Sequence, residues 1–358
     1  MKQKRIENVI SRMKSEGISQ MIISDPSSIF YFTGKWILPG ERMLVLLLNA
    51  DGNHKFFINE LFPIHEDLGV QIVSINDNDD AAGILSKYIE NGKTIGIDKN
   101  WPSHFLLRLM ELKNDCRFVN GSLVIDDIRS RKDEEERNFM RNASKVNDTV
   151  MGKLIKSIDG TKSEEEVAES LLKVYKDEGA TGFSFEPIIG YGKNGADPHH
   201  ENDDSMLKEG DSIIMDIGGR NDSYCSDMTR TVFYKKVSDK EREVYNITLE
   251  ANKRGIAAVK PGARFCDIDK AARGYIESKG YGKYFTHRLG HSIGIDTHEF
   301  GDVSSVNTNI VHEGMIFSIE PGIYIPGEFG VRIEDLVLVT KNGCEVLNKF
   351  SKDLKVIE

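Results

Sequence analysis

Carboxylates that end or interrupt apolar strands are the feature of this sequence that most restricts its fold. Asp216 ends one apolar run, Glu320 follows another, and Glu334 lies inside a third. An isolated charge buried at such a position would be costly, whereas coordination of a metal would neutralise it. The pattern therefore predicts a fold in which several strand ends meet at a metal site.

A hairpin accounts for the first of these runs. The strand that ends at Asp216 is followed by Asn221-Asp222, a turn sequence, and by a second strand that contains Asp227. This arrangement can place Asp216 and Asp227 side by side. Two adjacent carboxylates raise one another's pKa unless a cation lies between them, so the hairpin favours a bound cation.

Histidines are concentrated in one later segment. The protein has nine, and His287, His291 and His298 lie within twelve residues of one another. Gly290 and Gly294 oppose a stable helix here. We therefore expect a strand or loop that can supply an imidazole ligand.

Four carboxylates and one imidazole form the candidate ligand set: Asp216, Asp227, Glu320, Glu334 and His291. Two divalent cations would balance the four negative charges. Oxygen-rich ligands with one imidazole suit manganese, cobalt or iron better than a structural zinc site. Two such ions can activate a water and polarise a carbonyl, so the reaction class is metal-assisted hydrolysis.

A GxGxxG motif at Gly190–Gly195 raises a different function, a nucleotide-dependent oxidoreductase. That function requires a helix to open at the third glycine. Pro198 follows instead and opposes a regular helix. A flexible loop that brings His199 or His200 to a site is the better interpretation.

Composition restricts the partners and the compartment. The formal net charge of −10 argues against nucleic acid and anionic membranes as partners. The four cysteines form no CxxC pair, which favours a reducing compartment. The longest apolar run, Met43–Leu48, is far shorter than the roughly 20 residues of a membrane span. With no signal-peptide pattern at the N-terminus, a cytoplasmic protein is predicted.

Two domains are predicted from the length and from the pattern along the chain. Residues 1–128 alternate short apolar strands with helical segments, which indicates an α/β domain. A charged run at 129–137 predicts a solvated helix start and marks the boundary with a second domain, 129–358. Later helices are expected at about 163–176, 239–259 and 265–279.

Four segments, taken in order, resemble the motifs of the pita-bread dinuclear metallopeptidases, peptidase family M24. They are Asp216–Thr231, Gly290–Glu299, Glu320–Gly322 and Val331–Asp335. The resemblance is to the Xaa-Pro branch, which contains aminopeptidase P and prolidase, and Asp25–Gly34 is similar to that branch's N-terminal domain. It implies an α/β (α+β) chain with a creatinase/prolidase-like domain at 1–128 and a catalytic pita-bread domain at 129–358.

The resemblance also implies a role for each site residue. The five candidate ligands would hold two divalent ions per subunit, with Asp227 and Glu334 bridging. Mn²⁺ is the favoured metal, and Co²⁺, Zn²⁺ and Fe²⁺ are alternatives. Glu320 would also shuttle protons. His199 and His298 would stabilise the tetrahedral intermediate, Arg332 would orient the substrate or Glu334, and Thr229 would support the ligands.

The implied activity is hydrolysis of the Xaa-Pro bond at the N-terminus of a peptide by a metal-bridged hydroxide, in a homodimer. Many prolidases carry an arginine that binds the carboxylate of a dipeptide, but residues 299–319 contain no Arg or Lys. Cleavage of longer peptides is therefore at least as well supported as dipeptidase activity. Arg288, Arg332 or a partner subunit could still supply the charge. The alternative function is a non-catalytic pita-bread module that binds peptides.

Overall fold

The computed structural model describes residues 1–358, which separate into two compact units, Met1–Arg129 and Ser130–Glu358. The nine helices are α1 (Gln3–Ser15), α2 (Pro26–Thr33), α3 (Ala81–Ser86), α4 (Ser103–Leu112), α5 (Ser122–Ser130), α6 (Glu134–Ser157), α7 (Glu164–Asp177), α8 (Asp239–Ala258) and α9 (Phe265–Ser278). None of them has both the length and the apolar character that crossing a bilayer requires.

Twenty strands complete the two units. They are β1 (Gln20–Ile23), β2 (Val45–Asn49), β3 (Lys55–Asn59), β4 (Gln71–Ile75), β5 (Thr94–Ile97), β6 (Arg117–Asn120), β7 (Gly182–Phe183), β8 (Ile188–Tyr191), β9 (Ser212–Ile217), β10 (Gly219–Asn221), β11 (Tyr224–Cys225), β12 (Met228–Tyr234), β13 (Gly290–Ser292), β14 (Glu299–Val303), β15 (Ile316–Ile319), β16 (Gly322–Ile325), β17 (Phe329–Arg332), β18 (Asp335–Val339), β19 (Cys344–Val346) and β20 (Val356–Ile357).

The first unit is a mixed sheet with helices around it. Its strand order is β4-β3-β2-β1-β5-β6, with β1 parallel to β5 and antiparallel to β2. The central strands β1 and β2 are buried along their whole length, as expected when both faces of a sheet are covered. The predicted α/β layer structure is confirmed. The sequence prediction assigned no helix to α2, which Asp25 caps by accepting a hydrogen bond from the Ser28 N–H.

The second unit surrounds its candidate site with sheets whose strands are antiparallel except for the β12–β20 pair. One sheet has the order β20-β12-β9-β8 and another the order β14-β13-β15-β18-β19. Helices α6, α7 and α8 begin at capping boxes, in which the N-cap residue and a glutamate three positions later satisfy one another's backbone N–H groups. Apolar residues from α8, α9 and the second sheet form one continuous core.

Three local predictions are corrected by the structure. The second strand of the predicted hairpin, which was expected to contain Asp227, is divided into β11 and β12, and Asp227 lies between them. The strand expected through Arg332 and Glu334 ends at Arg332, so Glu334 lies between β17 and β18. The charged run at 129–137 is also less solvated than predicted. Lys132 and Glu136 are each only 1% exposed, because their charges have partners inside the unit.

Candidate metal centre

Glu320 and Glu334 are brought together by the pairing of β15 with β18. The last residue pair of this antiparallel ladder is Ile319 with Asp335. Glu320 follows Ile319 directly, and Glu334 precedes Asp335 directly, so the two glutamates lie at the same end of the ladder. Ladder register thus explains why carboxylates that are distant in sequence approach one another.

Asp216 and Asp227 are brought together by the β9–β12 pair in a similar way. Asp216 lies opposite Thr229, and Asp227 immediately precedes the first residue of β12. The chain reverses through Asp222 and Ser223, both of which have positive φ. The Glu334 N–H donates to the Thr229 carbonyl oxygen at 3.1 Å, and this bond connects the two carboxylate pairs.

His291 lies on β13 and faces the carboxylates. Its Nε2 is 3.5 Å from Asp227 Oδ2 and 3.6 Å from Glu320 Oε1. Its backbone N–H donates to Ser318 Oγ on β15. Gly290 makes this close approach feasible, because a Cβ there would lie 1.9 Å from the Ser318 carbonyl oxygen.

Three buried carboxylate oxygens in this cluster have no hydrogen-bond partner: Asp216 Oδ1, Asp227 Oδ1 and Glu334 Oε1. Ligand atoms of Asp227, His291 and Glu334 lie within 4.8 Å of one another. Buried polar atoms are otherwise nearly always satisfied. The donor set of four carboxylates and one imidazole therefore fits divalent cations, which would provide the missing partners.

Electrostatics supports the same interpretation. Burial raises the pKa of Asp227 well above its usual value, and the charges of Asp216 and Glu320 raise it further. Burial and the charge of Asp227 likewise raise the pKa of Glu334. Nearby divalent cations would oppose these effects and favour the ionised carboxylates.

Arg332 contacts the cluster through Asp216. Its Nη2 donates to Asp216 Oδ2 at 2.8 Å, and its Nε donates to Thr229 Oγ1 at 3.1 Å. Thr229 in turn donates to Glu334 Oε2 at 2.7 Å. Arg332 thus orients Asp216 directly and reaches Glu334 only through Thr229.

The cluster opens into a cavity of about 580 Å³. Eight of the nine residues to which the resemblance gives a role line it: Asp216, Asp227, His291, Glu320, Glu334, His199, His298 and Arg332. The ninth, Thr229, contacts Glu334 and Arg332. His287 and Arg288 line it as well. His200 lies elsewhere, with its Nε2 2.5 Å from Glu164 Oε2.

His298 is neutral at neutral pH in this environment. Burial, together with the nearby His291 and Arg288, lowers its pKa to about 4. Its ring packs edge-on against that of His291, with 4.2 Å between the centroids. A neutral imidazole has one N–H donor, which suits a residue that stabilises a developing oxyanion.

Residues that the sequence interpretation missed support the site. Tyr324 Oη accepts from Arg332 Nη1 and is 2.9 Å from His287 Nε2. Ser318 donates to Glu320 Oε1 at 3.0 Å. Both occupy ordinary buried strand positions, so no local sequence signal distinguishes them from core residues.

The fold and the centre together define a two-unit protein of the metallopeptidase type. The sequence profile of metallopeptidase family M24 matches residues 138–341, and that of the creatinase/prolidase N-terminal domain matches residues 5–131. The chain belongs to metallopeptidase family M24 and carries a creatinase/prolidase N-terminal domain. Membership of this family implies a dinuclear metal site, and the ligand groups for one are present.

Individual relatives cover the chain almost completely. An uncharacterized peptidase of Staphylococcus aureus strain MRSA252 is 35% identical over 97% of this chain and 99% of its own length. The crystal structure of a prolidase from Thermococcus sibiricus has a TM-score of 0.95 at 32% identity and covers 100% of this chain and 99% of the prolidase. An X-Pro aminopeptidase from Thermotoga maritima has a TM-score of 0.85 at 28% identity and covers 97% and 100%.

Proposed function

We propose that the protein is an Xaa-Pro metallopeptidase that cleaves the bond before proline at the N-terminus of peptides. The observation that carries the proposal is the convergence of four carboxylates and His291 on one cavity, with three carboxylate oxygens lacking partners. The names of the prolidase and aminopeptidase relatives support Xaa-Pro bonds as substrates. Proline has no N–H for extended backbone pairing, so a dedicated cavity is needed to bind it.

The proposed ligands are Asp216, Asp227, His291, Glu320 and Glu334. When bound, two divalent ions would lower the pKa of a water and polarise the scissile carbonyl. Mn²⁺ is the favoured metal, because the donors are mainly carboxylate oxygens. Arg332 would keep Asp216 oriented through its 2.8 Å contact.

Glu320 would move the proton. Its side chain is 15% exposed and lines the cavity, so it can reach both a water and the substrate. Ser318 fixes one of its oxygens. Glu320 would accept a proton from the attacking water and return it to the proline nitrogen, which leaves as a secondary amine.

His199 and His298 would stabilise the charge that develops on the carbonyl oxygen. Both line the cavity together with the carboxylates. Because His298 is neutral, it can donate a hydrogen bond without adding a positive charge beside the proposed metal ligands. Preorganised donors of this kind contribute about 3–4 kcal/mol to transition-state stabilisation in other hydrolases.

Arg288 would decide how well a free dipeptide binds. It and Arg332 are the two arginines that line the cavity, and the Arg332 guanidinium already contacts Asp216, Thr229 and Tyr324. Arg288 is exposed and pairs with no acidic side chain, so it is available to a substrate carboxylate. Substitution by glutamine should raise KM for Xaa-Pro dipeptides and leave KM for longer peptides nearly unchanged.

The direct test is hydrolysis by purified protein to which manganese or cobalt has been restored. Xaa-Pro dipeptides and Xaa-Pro-Yaa tripeptides are the substrates, and Xaa-Ala peptides are the control. Asp216→Ala and Glu320→Ala should each abolish turnover while circular dichroism shows a folded protein. Wild-type turnover in either variant would refute the site. Metal and peptide binding without hydrolysis would instead favour a non-catalytic peptide-binding module.

A further inference from the structure

The segment that carries His199 has little regular structure of its own. It leaves β8 at Tyr191, forms a short 3₁₀ turn at Gly192–Ala196, and then runs irregularly past Pro198. Next to His199 it is held by a hydrogen bond from the His199 N–H to Asp197 Oδ1 and by a long contact, 3.5 Å, from Arg332 Nη1 to the Pro198 carbonyl oxygen. A histidine that acts on a substrate needs firmer positioning than this.

Glu164, the first residue of α7, provides contacts along this whole segment. Its carboxylate accepts from the Tyr191 N–H at 2.7 Å and from the Asn194 side-chain amide at 3.1 and 3.2 Å. It also accepts from the Asp203 N–H at 3.3 Å and lies 2.5 Å from His200 Nε2. One carboxylate therefore connects the beginning, the middle and the end of the segment.

The position of Glu164 suits a buried anion. Its side chain is 0% exposed, and it lies at the N-terminus of α7, where the helix dipole favours negative charge. Glu164, His200 and Asp203 also lie close enough together to hold a metal ion. Both oxygens of Glu164 already accept N–H donors, however, so the contacts describe a hydrogen-bonded anchor.

We propose that Glu164 is a positioning residue for His199. His199 and His200 are neighbours in sequence, and His200 contacts Glu164 while His199 lines the catalytic cavity. Holding His200 and both ends of the segment fixes the backbone from which His199 extends. The proposal rests on the role given above to His199. The proposal also assigns the GxGxxG segment at Gly190–Gly195 a structural role in place of nucleotide binding.

Loss of the carboxylate should loosen the segment and displace His199. Glu164→Ala leaves the N–H groups of Tyr191 and Asp203 without their buried acceptor. The Asn194 side-chain amide would keep only Ser205 Oγ at 3.1 Å and Asp203 Oδ1 at 3.4 Å. Misplacement of a catalytic group by about 1 Å can cost about 100-fold in rate. We expect kcat and kcat/KM to fall together by roughly 10- to 100-fold, because the lost interaction is made in the transition state.

Hydrogen exchange read by mass spectrometry tests the anchor without any activity measurement. Amides of peptides covering 191–203 should exchange faster in Glu164→Ala than in the wild type. Glu166→Ala is the matched control, since Glu166 lies in the same helical turn and caps α7 by accepting from the Ser163 N–H. If Glu164→Ala leaves exchange in 191–203 at the level of Glu166→Ala, the anchor is refuted. Glu164→Gln, which keeps the shape and one acceptor oxygen, should give an intermediate effect and serves if the alanine variant does not fold.

A double-mutant cycle with His199→Ala tests the connection to catalysis. With the metal-restored enzyme, Glu164→Ala should add little to the loss caused by His199→Ala. If the fold-loss of activity in the double variant equals the product of the losses in the two single variants, Glu164 acts independently of His199, and the proposal is refuted. Wild-type turnover in His199→Ala would refute the role of His199 in the proposed function. The hydrogen-exchange measurement does not depend on that role, so it shows separately whether Glu164 anchors the segment.

Discussion

Substitution of Asp227 by asparagine should stabilise the metal-free protein and abolish its stabilisation by metal. Asp227 is 4% exposed, its Oδ1 has no partner, and Asp216 and Glu320 place like charges beside it. Without metal, an ionised carboxylate in this position opposes folding. Asparagine has nearly the same shape, carries no charge, and can donate to a neighbouring carboxylate.

The magnitude follows from the structure. An unsatisfied buried polar group costs about 1–3 kcal/mol. In a domain the size of Ser130–Glu358, 1 kcal/mol changes Tm by about 2–4 °C. Metal-free Asp227→Asn should therefore unfold about 2–12 °C above the metal-free wild type. For the wild type, metal at about 100 times its Kd adds about 2.7 kcal/mol, or roughly 5–11 °C.

Thermal unfolding after chelation, and again with increasing Mn²⁺, measures both effects. Asp335→Asn is the matched control, because Asp335 is also buried but is paired with Arg230 at 2.8 Å and Lys352 at 2.5 Å. Removing one partner of such a pair costs about 3–5 kcal/mol, so the control should be destabilised in either buffer. The reasoning is refuted if metal-free Asp227→Asn unfolds below the wild type, or if Mn²⁺ still raises its Tm by the wild-type amount.

Three further outcomes are expected. Lys132→Met should lower the free energy of unfolding by about 3–5 kcal/mol in urea titrations, because it leaves Glu299 without its 2.7 Å partner in a buried pair; an unchanged midpoint would contradict this. Gly290→Ala should destabilise by about 1–3 kcal/mol and weaken metal binding measured by calorimetry, because its Cβ would meet the Ser318 carbonyl oxygen; wild-type affinity would show that β13 can shift freely. Burial raises the pKa of the Cys225 thiol to about 12, and only the thiolate reacts, so a thiol reagent at neutral pH should modify Cys225 only after unfolding; rapid labelling of the native protein would count against its burial.

The fold class could be predicted because the sequence patterns have local causes. Capping boxes at Ser163 and Ser238 start helices where the chain supplies a hydroxyl and a glutamate three residues later. Apolar runs gave most strands of the first unit. The start of α2 at Pro26 was not predicted, since an eight-residue helix offers little periodicity to detect.

Candidate site residues could be found because carboxylates at the ends of apolar strands are unusual. Their supporting contacts could not, because these depend on which strands become neighbours. Tyr324 and Ser318 look like core residues in the sequence, and Lys132 looks like part of a solvated charged run. Lys132 is buried because Glu299, far away in the sequence, offers it a carboxylate.

The register that places Glu320 beside Glu334, and Asp216 beside Asp227, has a consequence for folding. Each strand pair alone presents two acidic groups, and the proposed ligand set is complete only after the two pairs join through the Glu334–Thr229 backbone bond. Contacts this distant in sequence form slowly, because a long loop must close first. High-affinity metal uptake during refolding should therefore follow secondary-structure formation and mark the moment at which the two sheets dock.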